Sequence, residues 1–330
     1  MTTVSLVSFS GAPGTTTVAL ATAAALTTTG VPEPVLVELA TSGGVVAGWY
    51  DLPAEPGLSS LALAIGPETP DVLAHAQELP GGLPAVVAPP SGSRVLKVLG
   101  ARAAALASYL QQLDATVVAD CGRVAVDTPL RPVLEASSLI GVVVRPTRED
   151  FRLAATGLAE LNTVASGPLP AGWVLIGESP WSVDEIIAQY GLPVLATVAD
   201  DRPGAEAVAG RRRLRRHSPL SRSVQSFADD VTKHLRVASA DDPLGYLRSP
   251  PTGSAAPTQV ATTPPAAPPA TSPAPSSDPP ATDVSGEPEI DDDGGPAPNG
   301  STADDLAAEA GVPDPPAEPE PQPVTAEEGR

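Results

Sequence analysis

The chain has 330 residues, 39 acids against 19 basic residues for a net charge of −20, and 41 prolines but a single cysteine. Its last eighty residues carry fifteen acids and only Arg330, a net of −14, so the first 250 residues account for just −6 of the total. The acidity is therefore a property of the tail and gives no information about partners of the remainder. With one thiol, Cys121, an intramolecular disulfide is excluded, which fits a reducing, cytoplasmic setting. No apolar stretch approaches the roughly twenty residues of a membrane span, and the first residues lack the basic flank of a secretory signal.

The chain opens on a short apolar run, Val4, Leu6, Val7 and Phe9, that predicts a buried strand, followed by the turn Ser10-Gly11-Ala12-Pro13-Gly14-Thr15-Thr16-Thr17 and a helix over Val18–Leu26. A strand, a glycine turn and a helix point backbone N–H groups and a helix N-terminus at an anion, usually a phosphate. The spacing matches the P-loop pattern G-x-x-x-x-G-K-[ST] except that Thr15 stands in place of the lysine, with Thr16 as the hydroxyl expected beside a metal ion.

A second strand is predicted at Pro34–Leu39, ending in Glu38, and Thr41-Ser42-Gly43-Gly44 then opens a loop. Short helices are expected after Pro53–Gly57 and over Asp71–Leu79, and a third strand over Pro84–Ala88. Arg94–Leu113 has apolar residues at helical spacing. Ala115–Asp120 reads as a buried strand ending in an aspartate, Pro129–Ala136 as a short helix, and Leu139–Val144 as the most apolar strand. Further on come a helix over Glu149–Val164, a strand over Trp173–Gly177, a helix over Val183–Tyr190 and a strand over Pro193–Val198. A short helix over Gly204–Gly210 precedes a last one beginning at Ser218-Pro219, with Leu220, Val224, Phe227, Val231 and Leu235 forming an apolar stripe.

Seven Val/Leu-rich strands alternating with helices predict an α/β fold, a mostly parallel sheet covered on both faces. Ligands of such sheets bind outside the carboxyl ends of the strands. The glycine turn, Glu38, Asp120, Arg145 and the Asp200-Asp201 pair all fall at such ends, so one crevice is expected to collect them. Residues 1–238 form the expected folded domain. Residues 239–330, rich in Pro, Ala, Asp and Glu, are expected to be disordered, because they hold too little apolar surface to offset chain entropy. Five arginines among Arg211, Arg212, Arg213, Leu214, Arg215 and Arg216 form the one concentrated positive patch and suit an anionic partner, which the family resemblance described below implies to be DNA or an anionic membrane surface. His75, His217 and His234 show no metal-ligand spacing.

Over roughly residues 3–237 the order and spacing of these segments resemble the ParA/MinD family of P-loop ATPases, the deviant P-loop branch, and its actinobacterial MinD-like members in particular. The family's loop reads K-G-G-x-G-K-[TS]; Gly11, Gly14 and Thr16 match it, whereas Ser10 replaces the lysine that reaches across a dimer and Thr15 the lysine on the β- and γ-phosphates. Its second strand ends D-x-D where this chain has Glu38-Leu39-Ala40. Trp49–Leu63, Gly81-Gly82-Leu83 with Ala88-Pro89-Pro90, Ala115–Arg123, Val194–Pro203 and Ser218-Pro219-Leu220 resemble further segments of the family.

The resemblance implies a P-loop NTPase fold, ATP and Mg²⁺ as cofactors, and Gly11–Thr17 around the phosphates. It further implies Thr16 and Asp120 on the metal side, Glu38 near the attacking water, and Asp200 and Asp201 beside the base. With both lysines absent, weak ATP binding and slow or lost hydrolysis are expected. The expected role is that of a regulator or scaffold in positioning a chromosome, plasmid, pilus or secretion machine, at the nucleoid or a membrane surface, as a homodimer or paired with an active relative. An ATPase cycling between monomer and dimer is the alternative, and a nucleotide-free interaction module whose acidic tail binds a protein partner is the third reading.

Overall fold

The computed structural model describes residues 2–11, 13–213 and 218–238. Contacts divide the chain into units Met1–Pro257 and Thr258–Arg330, and the second lies wholly outside the described residues, as does the expected tail.

The elements in chain order are β1 (Thr2–Ser8), α1 (Thr15–Leu26), β2 (Pro34–Glu38), α2 (Val46–Trp49), α3 (Leu58–Ala64), a 3₁₀ turn (Val72–His75), β3 (Gln77–Leu79), β4 (Leu83–Val86) and α4 (Gly92–Leu110). They continue with β5 (Thr116–Arg123), α5 (Arg131–Glu135), β6 (Leu139–Val144), α6 (Arg148–Val164), β7 (Ala171–Ile176), α7 (Val183–Tyr190), β8 (Val194–Val198), α8 (Arg202–Val208) and α9 (Pro219–Ala238). The strands form one sheet in the order β3-β4-β2-β5-β1-β6-β7-β8. Every neighbouring pair is parallel except β3–β4 at one edge.

The Val/Leu runs explain the layering. A strand buried on both faces needs apolar residues at odd and even positions alike. In β1, Val4 and Leu6 enter the core beneath α1 and α9, while Val7 joins the opposite core with α4, α5, α6 and α7. The stripe Leu220, Val224, Phe227 and Val231 of α9 is buried in the first of these cores. That burial assigns it to packing. None of the described helices is long and apolar enough to cross a membrane.

Two expectations are corrected. The helix predicted over Asp71–Leu79 is a single 3₁₀ turn, capped by the Asp71 side chain on the N–H of Leu73, followed by β3. β3 pairs antiparallel with β4 because Gly81 and Gly82, at φ +92° and +81°, reverse the chain and set Leu79 opposite Leu83. The sheet therefore has eight strands, not seven. The second correction is that Cys121-Gly122-Arg123 continues β5 instead of leaving it. The register against β1 slips there, Leu6 facing Asp120 and Val7 facing Gly122, a β-bulge that leaves Cys121 as the extra residue. Gly122 has φ +58°, and a Cβ on it would lie 2.8 Å from that of Ala40.

Phe227→Ala is expected to lower unfolding stability by about 3–5 kcal/mol, since it empties the α9 core beside α1. Leu63→Ala, at a side chain 82% exposed, is expected to change it by less than about 0.5 kcal/mol. Urea unfolding of the two variants checks the contrast.

Candidate anion and metal site at the β1–α1 turn

The turn leaves β1 at the centre of the sheet, so the carboxyl ends of β5 and β6 lie on either side of it. Gly14 sits at φ +103°, a left-handed conformation that favours glycine, and caps α1 without a side-chain hydrogen bond. The first helical bond is Val18 N–H to the Gly14 carbonyl, 2.9 Å. Among the described residues no acceptor meets the N–H groups of Thr15, Thr16 or Thr17, and the first turn of α1 holds no acidic residue. A 12-residue helix thus presents its positive end uncompensated. A Cβ built on Gly11 or Gly14 would have open space around it. Ala12 lies outside the described residues.

On the β5 side, Glu38 and Asp120 stand opposite each other across β2 and β5, both fully buried. Glu38 Oε1 accepts from the N–H of Val45 at 2.6 Å and of Val46 at 3.1 Å, and Oε2 from that of Ala88 at 2.9 Å. Both oxygens of Glu38 are thus engaged in holding the loop into α2 and the chain leaving β4. The glycines after it belong to the same construction: a Cβ on Gly44 would lie 2.6 Å from Glu38 Oε2 and 2.3 Å from the Ala88 carbonyl oxygen. Burial raises the Glu38 pKa against these three hydrogen bonds.

Asp120 is less well served. Oδ1 accepts from the Gly122 N–H at 3.1 Å, a contact the bulge creates, while Oδ2 has no hydrogen-bond partner. Its pKa is pushed up to about 7, first by burial and then by the charge of Glu38; the nearby Thr16 hydroxyl and the Gly122 N–H oppose the shift. The hydroxyls of Ser10 and Thr15, at the positions where the resemblance expects lysines, are also buried and unpartnered.

On the β6 side a narrow cavity of about 100 Å³ is lined by Gly14, Thr17, Arg145, Ala199, Asp200 and Asp201, among others. Arg145 Nη1 donates to Asp200 Oδ2 at 2.8 Å, with both side chains about half exposed. Asp201 Oδ1 accepts from the Gly204 N–H at 3.0 Å and Oδ2 from the Leu220 N–H at 3.2 Å, so one carboxylate ties the starts of α8 and α9. The sequence-expected residues do gather around the turn, but in two groups: Thr16, Asp120 and Glu38 on one side, Arg145, Asp200 and Asp201 on the other.

Sequence reasoning missed the double anchoring by Asp201 and the three acceptor contacts of Glu38, which join residues up to fifty positions apart. The one local signal for the latter was the Gly43-Gly44 pair following a strand-end carboxylate. Arg211, Arg212 and Arg213 are exposed, with Arg212 3.3 Å from Glu206; Arg215 and Arg216 lie outside the described residues. The buried Cys121 thiol is pushed up to about 12, chiefly by burial, which makes it unreactive.

No family model matches the sequence, and no curated protein matches it. Solved structures do. A ParA family ATPase from Chlorobium tepidum superposes with a TM-score of 0.57 at 17% identity, over 69% of this chain and 97% of that one. The septum site-determining protein MinD of Pyrococcus horikoshii, complexed with Mg-ADP, gives 0.58 at 14% identity over 72% and 99%. Cobyrinic acid a,c-diamide synthase from Mycobacterium smegmatis, with a bound ATP analogue and magnesium, gives 0.53 at 21% identity over 72% and 96%. The fold is that of the ParA and MinD ATPases.

The residues present fit a magnesium-bound phosphate. Mg²⁺ asks for one or two protein oxygens and takes the rest from water and phosphate; the orphaned Asp120 Oδ2 and the adjacent Thr16 hydroxyl are of that kind, below free N–H groups. Among the described residues no cluster of three or more His, Cys, Asp or Glu is placed to hold a metal by protein ligands alone.

The ligand-free protein should show the burial of Asp120 in its pH dependence. The carboxyl titrates near its ordinary 3.8 when unfolded and near 7 when folded, so the folded state binds the proton more tightly. The stability from this group is full below about pH 4 and lost as pH rises to about 7, by at most roughly 4 kcal/mol. Asp120→Asn should remove that loss, so the variant gains on the parent between pH 4 and 8; parallel stability curves for the two proteins would contradict the assignment.

Proposed function

We propose that the protein binds a Mg²⁺-nucleoside triphosphate, ATP in the first instance, at the β1–α1 turn, and hydrolyses it slowly or not at all. It then acts as a regulator or scaffold of the ParA/MinD type in intracellular positioning. The observation that carries the proposal is the pairing of the open N–H groups at the start of α1 with the unpartnered Asp120 Oδ2 beside Thr16.

The division of labour follows from the groups present. The N–H groups of Thr15–Thr17 and the α1 dipole bind phosphate oxygens without needing a side-chain cation. Thr16 and Asp120 would hold the metal, directly or through water, and the metal would supply positive charge to the bound phosphates. Nothing in the turn replaces the lysines: Ser10 and Thr15 offer hydroxyls where phosphoryl transfer needs charge stabilisation. A missing charge-assisted contact of about 1.5–3 kcal/mol weakens binding about ten- to a hundredfold, and turnover suffers more because the lost charge acts on the transition state. Glu38 serves as the fixed acceptor that shapes the neighbouring loop. Arg145, Asp200 and Asp201 form the wall beside the base. Arg211–Arg216 serve an anionic partner surface, DNA or membrane lipid, in a protein that pairs with itself or with an active relative.

A titration of the purified chain with labelled ATP and Mg²⁺ is expected to give saturable binding, weakened at least tenfold by Asp120→Ala and strengthened about tenfold by Thr15→Lys. No binding at millimolar nucleotide would refute the nucleotide reading. Turnover that vanishes in Asp120→Ala would establish an active ATPase instead.

A further inference from the structure

A groove of about 660 Å³ runs between α6 and α7, on the sheet face opposite α1 and away from the β1–α1 turn. Its lining combines the half-buried rings of Trp181 and Tyr190 and the buried Ile186 with the exposed Arg148 and Arg152. The two arginines are one helical turn apart on α6 and so share a face. Neither makes an ion pair among the described residues. The acid that also lines the groove, Glu185, is occupied: its Oε2 accepts from the N–H and the hydroxyl of Ser182 at 2.8 and 2.9 Å in a capping box. Exposed Val183 and Ile187 on α7 extend the apolar surface.

The aromatic floor is rigid. Phe151 stacks on Tyr190 at 4.8 Å and meets Trp173 edge-on at 5.4 Å, which fixes Tyr190 from behind. Rigid aromatic surface beside unpaired arginine is the composition of interface hot spots.

We infer that this groove docks an acidic peptide segment bearing one bulky apolar side chain. Arg148 and Arg152 take its carboxylates, and the space over Ile186 between Trp181 and Tyr190 takes the apolar group. Charge complementarity selects the occupant: two guanidinium groups with no ion pair among the described residues flank an apolar cavity large enough for a side chain. A nucleic acid fits less well, because one face of Tyr190 is already stacked on Phe151 and is closed to a base. The site is independent of the nucleotide reading. A sequence of the required chemistry, Glu-Pro-Glu-Ile-Asp-Asp-Asp, occurs in this chain at residues 287–293 and supplies the probe.

The test uses the full chain and that heptapeptide carrying a fluorophore. Anisotropy should show saturable binding that weakens with salt, falls about tenfold or more in Arg148→Glu/Arg152→Glu, and is unaffected by Arg94→Glu. In a second measurement, Arg148→Lys/Arg152→Lys is treated with carbodiimide. Cross-links from the introduced amines to carboxylates of the peptide, or of the chain outside α6 and α7, support the inference even where such a carboxylate competes with the probe. Absence of both binding and these cross-links overturns it. Retained binding in the double glutamate variant overturns it, and so does an oligothymidylate that binds the groove and is not displaced by the peptide.

Discussion

Two carboxyl groups, Glu38 and Asp120, lie side by side in the core at the ends of β2 and β5, beneath a turn without a cationic side chain. Burying a carboxylate is costly unless hydrogen bonds or a cation offset the lost hydration. Glu38 is offset by three backbone N–H groups, and in meeting them it determines the path of the chain after β2 and after β4. Asp120 is offset only in part, by the nearby Thr16 hydroxyl and by one N–H that the bulge at Cys121 turns toward it. The protein thus carries an unsatisfied acceptor at the centre of its sheet, next to the uncompensated positive end of α1. A proton satisfies it at low pH; in the proposed reading a divalent cation bound to phosphate would do so together with the helix end.

The turn keeps its shape with hydroxyl side chains at Ser10 and Thr15. In the proposed reading, lysine at either position would add charge to a bound phosphate, but neither side chain forms the turn. The turn is formed by Gly14 in its left-handed conformation, and the direction of its N–H groups depends on α1, which packs against α9.

Much of the architecture is legible in the sequence, because the sheet is made of Val/Leu runs that have no stable place except between two helical layers. The convergence of Asp120, Arg145 and Asp200 on one edge follows from strand parallelism alone. What escapes is short or non-local. β3 is three residues long, with one buried apolar side chain, Leu79, so neither periodicity registers. The Cys121 bulge depends on a register slip against β1. The backbone contacts of Glu38 and Asp201 are made with N–H groups brought in from elsewhere in the chain, which their sequence neighbours do not reveal. The α6–α7 groove escapes for the same reason, since Trp181 and Tyr190 become its floor only once Phe151 of a different helix stacks on Tyr190 and meets Trp181 edge-on.

The central claim is that the free N–H groups of the turn and the Asp120 carboxyl form one ligand site. Amide and carboxyl NMR of the labelled protein during a Mg²⁺-ATP titration tests it most directly. The account predicts large, saturable shifts of the Thr15, Thr16 and Thr17 amides together with deprotonation of Asp120 at pH 6.5, and little change along α6 and α7. Amides of the turn that stay unmoved at saturating nucleotide, or an Asp120 whose titration ignores it, would contradict it.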